Sequence, residues 1–344
     1  MNLWILTMVN LLDNIIFLIF SVQCVCNTHP KIANIASIFT DNLIPQIQVL
    51  HGGLSSPGLY KFRNNDKEYV LRLSHPNRSI FERDRTIQCY KLASDNGIAP
   101  TIKYTSSDKG VIVSEYINGN YVSKTDLRSK KLLTELAKTI KKLHTIDGFP
   151  SSKDIFTIRQ SFEKQALLLN SSLVLKASKY LKLVDRILLK DKVTLVATHN
   201  DLKPENILFD NKFMIIDWEA ACLGYPCFDL ATILVFYNLS DDEQDEFLEA
   251  YYNRKPSIIE KERINLFKQE VLGYYGMAYL MLSVYKKLPP LSLEEINNLP
   301  ELHDYLENKF LQNDTLDSYL KAQKLGWILI KKINENDDHV RVMQ

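Results

Sequence analysis

Two short apolar runs, each delivering a carboxylate to a chain end, constrain this sequence more than anything else in it. The first leads into His199-Asn200-Asp201-Leu202-Lys203-Pro204-Glu205-Asn206-Ile207-Leu208-Phe209, and the second reads Phe213-Met214-Ile215-Ile216-Asp217-Trp218-Glu219. Asn206 falls five residues after the first carboxylate and eleven before the second. Those three oxygen-bearing side chains are what phosphoryl transfer from a nucleotide requires. One carboxylate stands beside the attacking hydroxyl, while an amide oxygen and a second carboxylate hold magnesium on the phosphates. The competing reading is a buried strand pair with incidental acids, and two motifs in the right order speak against it.

The stretch resembles the catalytic loop and metal-binding segment of kinases. It is similar to the family containing choline kinases, thiamine kinases and aminoglycoside phosphotransferases. Its first half would also pass for a protein kinase loop, in which Arg normally stands at Asn200. The second half separates the two. Protein kinases carry Asp-Phe-Gly there, whereas Asp217-Trp218-Glu219 followed by Gly224-Tyr225-Pro226-Cys227-Phe228-Asp229-Leu230-Ala231 is similar to the small-molecule kinases. The resemblance implies an α+β, two-lobed protein kinase-like fold, with a small antiparallel-sheet N-lobe and a large helical C-lobe. It also implies ATP and Mg2+ as cofactors. Asp201 then accepts or orients the hydroxyl proton, Asn206 and Asp217 ligate magnesium, and Asp229 accepts N–H bonds from the catalytic loop to fix its bend. Glu219 either supports a second magnesium or faces the substrate. Lys203 either neutralises transition-state charge or is a solvated loop lysine.

The 344 residues suffice for one two-lobed enzyme or two ordinary domains, and 46% hydrophobic content supports a sizeable core. With 42 basic and 41 acidic residues the net charge is +1, so the sequence carries no nucleic-acid footprint. The odd set of five cysteines (Cys24, Cys26, Cys89, Cys222 and Cys227) argues for a reducing compartment. Cys222 and Cys227 lack a second Cys or His pair at zinc spacing and read as packing residues.

Residues 3–26 are strongly apolar. They read as a signal peptide, a membrane anchor or an upstream extension. No Lys or Arg precedes Lys31, as a secretory signal would need, and Asn10, Asp13 and Asn14 interrupt a spanning helix. A retained segment with membrane association left open, on a cytoplasmic enzyme that needs ATP, is the expectation. The sequence divides into this segment (1–27), an N-terminal nucleotide-binding lobe (28–117) and a helical catalytic and substrate lobe (118–344).

In the nucleotide lobe, residues 47–62 read strand, glycine turn, strand. Gly52 and Gly53 permit close backbone approach to phosphate, and Ser55 and Ser56 add hydroxyl donors. The turn resembles the Gly-Gly-Leu-Ser/Thr loop of choline kinase-like enzymes. Arg72 follows the Val-Leu pair of an alternating strand, where the family places a phosphate-bridging cation. The family's helical Glu, partner to that cation, falls here at Thr86. Glu82 and Asp84 are the candidate substitutes on a helix over 78–96. Residues 110–117 resemble the hinge, with the Ser114 C=O and the Tyr116 N–H reading adenine.

Beyond the hinge the pattern is helical. The 3.6-residue period predicts helices over 129–144, 157–169, 174–189, 226–237, 241–252, 256–287, 301–311 and 314–333, with a strand at 193–197. His144 caps an apolar face and reads as structural. The helix at 256–287 carries Glu270 and Tyr274, which resemble the acid and aromatic ring that choline kinases offer a quaternary ammonium. Two expected tryptophans are replaced by Leu282 and Tyr285, and Trp218 offers an alternative aromatic wall. Tyr274, Tyr275 and Met277 read equally well as core residues. A small-molecule hydroxyl substrate follows, with a small cationic alcohol such as choline, ethanolamine or thiamine first. An aminoglycoside comes second, favoured by Glu294, Glu295, Glu301, Asp304 and Glu307. A nucleotide-binding protein without activity is the reading of another class.

Overall fold

The computed structural model describes residues 47–50, 58–190, 192–308 and 317–340. In chain order its elements are β1 (Ile47–Leu50), β2 (Leu59–Asn64), β3 (Lys67–Leu73), α1 (Ile80–Asp95), β4 (Ile102–Ser106), β5 (Val111–Glu115) and β6 (Asn120–Tyr121). There follow α2 (Lys124–Leu127), α3 (Lys130–Leu143), α4 (Ile155–Ala166), α5 (Ser172–Leu188), β7 (Val196–Thr198), β8 (Ile207–Asp210), β9 (Lys212–Ile215) and β10 (Cys222–Gly224). The rest is helical: α6 (Pro226–Phe236), α7 (Asp241–Tyr252), α8 (Ile258–Tyr285), α9 (Leu293–Asn297), α10 (Leu302–Asn308) and α11 (Ser318–Val340). Among the described residues no helix is long and apolar enough to cross a membrane. The apolar segment at 3–26 lies outside them, as do Gly52, Gly53, Ser55 and Ser56 of the predicted phosphate turn.

The chain forms two compact units. The first runs up to Asn120 and takes in Leu208–Glu219; the second comprises Tyr121–Ile207 and Ala220–Gln344. A linear division at 117/118 misses that exchange. It places the Asp217 segment in the helical unit, whereas Leu208–Glu219 belongs to the sheet unit because the Ile215 N–H donates to Ile98 C=O at 2.8 Å.

The first unit is built on an antiparallel sheet in the order β1-β2-β3-β5-β4. Its core face follows from alternation: Tyr60 and Phe62 on β2, Leu71 on β3, and Val111 and Val113 on β5 are buried together. Each such side chain contributes about 1.5–3 kcal/mol when fully removed from water. Helix α1 starts where a capping box predicts, with the Ser79 hydroxyl accepting from Glu82 N–H and Glu82 reaching back to Ser79 N–H.

The second unit is helical. The long α8 packs against α4, α5, α6 and α11. Gly273 permits that closeness, since a Cβ there would lie 2.6 Å from Leu181 Cδ1. Capping boxes at Ser240/Glu243 and Ser257/Glu260 start α7 and α8, and Arg254 with Ser257 holds Glu260 down at a pKa of about 2. A short antiparallel pair, β7 with β10, brings Thr198 opposite Cys222 and delivers the chain to His199.

Candidate active site

The loop after β7 is fixed from beneath by one buried carboxylate. Asp229, in the first turn of α6, accepts the His199 N–H at 2.8 Å on Oδ2 and the Asn200 N–H at 2.7 Å on Oδ1. His144 Nε2 lies 3.2 Å from Asp229 Oδ2 and its Nδ1 is 2.7 Å from the Tyr251 hydroxyl. A carboxylate can only accept, so the imidazole donates from Nε2 and takes the Tyr251 O–H on Nδ1. His144 is therefore part of the scaffold. Asn200 has a φ of 62°, a left-handed conformation that Asn tolerates better than most residues.

Asp201 receives donors on both oxygens. The Tyr275 hydroxyl donates to Oδ1 at 2.7 Å, Lys203 Nζ lies 3.1 Å from the same oxygen, and Asn206 Nδ2 donates to Oδ2 at 2.8 Å. Asn206 Nδ2 also reaches the Asp201 carbonyl at 2.8 Å. The amide nitrogen is thereby committed to Asp201, which leaves the Asn206 side-chain oxygen as the atom able to meet a cation. Pro204 opens a single tight turn over Pro204–Asn206 that sets this spacing. Burial works against the Lys203 charge, but Asp201 outweighs it and holds the ammonium well above the ordinary lysine pKa. Burial followed by the Asp201 charge likewise pushes the Tyr275 phenol well above its usual value.

The segment carrying the second carboxylate is organised within the sheet unit. Asp217 also adopts a left-handed backbone, φ 65°, at the end of the hairpin formed by β8 and β9. Arg72 Nη2 donates to Asp217 Oδ1 at 2.7 Å and lies 2.8 Å from Glu219 Oε1. Arg78 Nη2 meets Glu219 Oε2 at 2.6 Å, and Arg85 Nη2 donates to the Glu219 carbonyl at 2.7 Å. Burial opposes the Arg72 charge, yet Asp217 and Glu219 raise its pKa above the ordinary arginine value. Arg72 Nε is buried without a hydrogen-bond partner among the described residues, an orphan donor beside two carboxylates.

Several sequence expectations are corrected here. The acid partnering Arg72 is neither Glu82 nor Asp84. Glu82 is spent on its own helix cap, and Asp84 accepts the Ser107 hydroxyl. Asp217 and Glu219 are the acids instead, and cations stand where an acid was expected, Arg78 just before α1 and Arg85 within it. Trp218 is no substrate wall. It is 1% exposed, donates from Nε1 to Ile215 C=O at 2.9 Å and stacks on Tyr90, whose hydroxyl burial lifts to a pKa of about 12. The Tyr116 N–H does not await adenine, because it donates to Glu68 C=O at 2.9 Å. Ser114 lies buried in β5 between Val70 and Ile102.

The predicted ammonium-binding pair is displaced too. Glu270 is fully buried, and its Oε1 takes Arg159 Nε at 2.6 Å. The same guanidinium reaches Glu163 at 2.8 Å and both oxygens of Asp185 at 2.7 and 2.6 Å. Three carboxylates thus converge on one arginine. Burial, only partly countered by Arg159, raises the Glu270 pKa to about 8. Tyr274 packs edge-on among Phe162, Phe228 and Tyr275, with centroid separations of 5.3–5.4 Å. Its helix neighbour Tyr275, which the sequence left open between a core residue and part of the substrate helix, is the residue that reaches Asp201.

Residues 46–263 match the model of the phosphotransferase enzyme family. The chain belongs to that family. It is 27% identical to the protein LicA of Haemophilus influenzae over 224 residues, 60% of this chain and 83% of that one. Among solved structures, choline kinase LicA from Streptococcus pneumoniae aligns with a TM-score of 0.59 at 16% identity, covering 87% of this chain and 96% of that one. The ADP-bound aminoglycoside phosphotransferase APH(2'')-Ib aligns with a TM-score of 0.53 at 15% identity, over 86% of this chain and 99% of that one. The α+β, protein kinase-like fold expected from the sequence is the fold these structures share.

The oxygen donors on these two segments are of the type a hard cation such as magnesium takes. No group of three or more His, Cys, Asp or Glu side chains poised for a metal occurs among the described residues. Magnesium seldom asks for such a cage. It keeps water and phosphate oxygens and takes one or two protein oxygens. The Asn206 side-chain oxygen in the second unit, and separately the Asp217 carboxylate in the first, one of whose oxygens is held by Arg72, are each oxygen donors of that kind.

Proposed function

We propose that this phosphotransferase moves the γ-phosphoryl group of ATP to the hydroxyl of a small cationic alcohol of the choline, ethanolamine or thiamine type. The observation that carries the reading is Asp201: a carboxylate on a bent loop, fixed by Asp229 below and hydrogen-bonded by Tyr275, Lys203 and Asn206. Asp201 takes the acceptor's proton as the new O–P bond forms and the bond to ADP breaks. Such a group contributes about 10²–10⁴ in rate. Asn206 and Asp217 are the proposed magnesium ligands, and the bound ion would neutralise charge on the β- and γ-phosphates. Arg72, with its orphan Nε, is the proposed phosphate cation, and Gly52, Gly53, Ser55 and Ser56, outside the described residues, are proposed as further phosphate-binding residues. Adenine is proposed to lie at the hinge near Ser114 and Tyr116, read by groups other than the Tyr116 N–H.

The cationic class is favoured by the rings around Asp201. Lys203 Nζ already sits 5.2 Å from the Tyr275 ring centroid, so that face suits a positive charge. The likeness to LicA points the same way. One observation favours an aminoglycoside instead: Arg159 occupies Glu270, which removes the acid a choline head group would be expected to meet. The cytoplasm, where ATP is supplied, is the proposed compartment.

The test is ADP release with ATP and magnesium against choline, ethanolamine, thiamine and kanamycin. Turnover with the amino alcohols alone is the expected result. Turnover with kanamycin alone transfers the assignment to the antibiotic class. Nucleotide binding without turnover on any acceptor overturns both.

A further inference from the structure

We infer that Tyr275 is a positioning residue for phosphoryl transfer: its hydroxyl fixes the Asp201 carboxylate so that Oδ2, and not Oδ1, receives the acceptor's proton. The inference rests on the reading of Asp201 as proton acceptor. A carboxylate offers about four lone-pair directions, two on each oxygen. On Oδ1 both are taken, by the Tyr275 hydroxyl at 2.7 Å and the Lys203 ammonium at 3.1 Å. Oδ2 carries a single side-chain donor, Asn206 Nδ2 at 2.8 Å. The remaining direction on Oδ2 is where an acceptor O–H can enter without displacing anything. The Asp201 side chain as a whole is 23% exposed, so the carboxylate is not sealed from solvent.

The hydroxyl is delivered by packing rather than by chance. Tyr275 is 4% exposed, and its ring is clasped by Phe236 at 4.8 Å, Tyr274 at 5.3 Å and Tyr279 at 6.2 Å between centroids. Those contacts belong to α6 and α8, the α6 that also carries Asp229. One helix therefore holds the loop backbone through Asp229 and steadies, through Phe236, the ring that orients the loop carboxylate. The Lys203 ammonium over the same ring closes a triangle of Asp201, Lys203 and Tyr275. The phenol keeps its own proton throughout. The acceptor's proton passes to Oδ2 as the O–P bond forms and the P–O bond to ADP breaks.

A hydroxyl that merely satisfies itself on a nearby carboxylate would leave the rate untouched, and the following experiment separates the two roles. Tyr275→Phe keeps every ring contact and removes one donor. The rate is read as phosphate transfer to choline and as slow ATP hydrolysis, whose acceptor is water, so the result does not hang on the substrate. Losing a hydrogen bond to a charged group predicts that kcat falls by about 10-fold or more while KM for ATP stays within about twofold. In an Asp201→Asn background the same change should alter the residual rate by less than about twofold, since the two act as a unit. Replacing Tyr275 by p-aminophenylalanine, which keeps a donor, should restore most of the rate. A normal kcat for Tyr275→Phe, or an equal loss in both backgrounds, overturns the inference. If Asp201→Asn itself turns over normally, the reading of the base has failed instead. Should Tyr275→Phe not fold, as judged by its thermal melt, the p-aminophenylalanine protein decides alone: full activity upholds the donor role, and a 10-fold loss in a folded protein ends it.

Discussion

Asp201 and Asp217 are two carboxylates offered by neighbouring stretches of chain, yet their surroundings differ in kind. Asp201 is met mainly by directed hydrogen bonds: a phenol, an amide and one lysine, above a backbone pinned by Asp229. Asp217 and Glu219 are met by guanidinium groups from β3, from the residue before the α1 cap and from within α1. The first arrangement fixes orientation while leaving a lone-pair direction open, which is what proton acceptance in the transition state needs. The second balances charge, and suits a segment proposed to exchange its arginine partners for a cation and phosphates. Geometry governs one carboxylate and net charge the other.

Four substitutions can break or sharpen that contrast. The largest effect is expected for Asp201→Asn, which keeps shape and removes the proton acceptor. Turnover should fall by about 10²–10⁴ with ATP affinity unchanged by titration calorimetry. Undiminished turnover would abolish the distinction. Next, Asp229→Ala strips the acceptor from two backbone N–H groups and from His144. Given about 1–3 kcal/mol per lost bond to a charged group, unfolding stability should drop by roughly 3 kcal/mol or more in a denaturant titration. A loss below about 1 kcal/mol would mean that the loop holds its bend without support.

Glu270→Gln probes the buried cluster under α8. The folded-state pKa of Glu270 is raised to about 8, above its unfolded value. The stability linked to that proton is present in full below about pH 4.5 and is lost as the pH rises through about 8. Wild-type stability should therefore decline relative to Glu270→Gln between pH 5 and 9, measured by parallel melts. Parallel curves across that range would show Glu270 ionised throughout. The smallest change belongs to Arg78→Ala. It removes one of the cations around Glu219 and leaves Arg72 and Arg85 in place, so ATP affinity should weaken only by about threefold in the same calorimetric titration, in keeping with a partly solvated pair. A loss above about 30-fold would make Arg78 a phosphate ligand in its own right.

The sequence by itself determined the order of chemical groups and the local frames that carry them. Asp201, Asn206 and Asp217 at fixed spacing, Asp229 in the first turn of its helix, and the boundaries of Asp241–Tyr252 were all readable, because caps, periodicity and tight turns act within a few residues. Which side chains meet across the fold was decided only by the tertiary structure. Arg72 bonds Asp217 across 145 positions, Arg159 bonds Glu270 across 111, and Tyr275 bonds Asp201 across 74. Spacing favoured Glu270 with Tyr274, four apart and on one helical face. Tyr275, about 100° further round, reached the catalytic loop instead. Propensity fixes where a helix begins and ends, but the rotation that decides which face meets which partner is set by packing against the neighbouring helices. That packing is written in no local stretch of the chain.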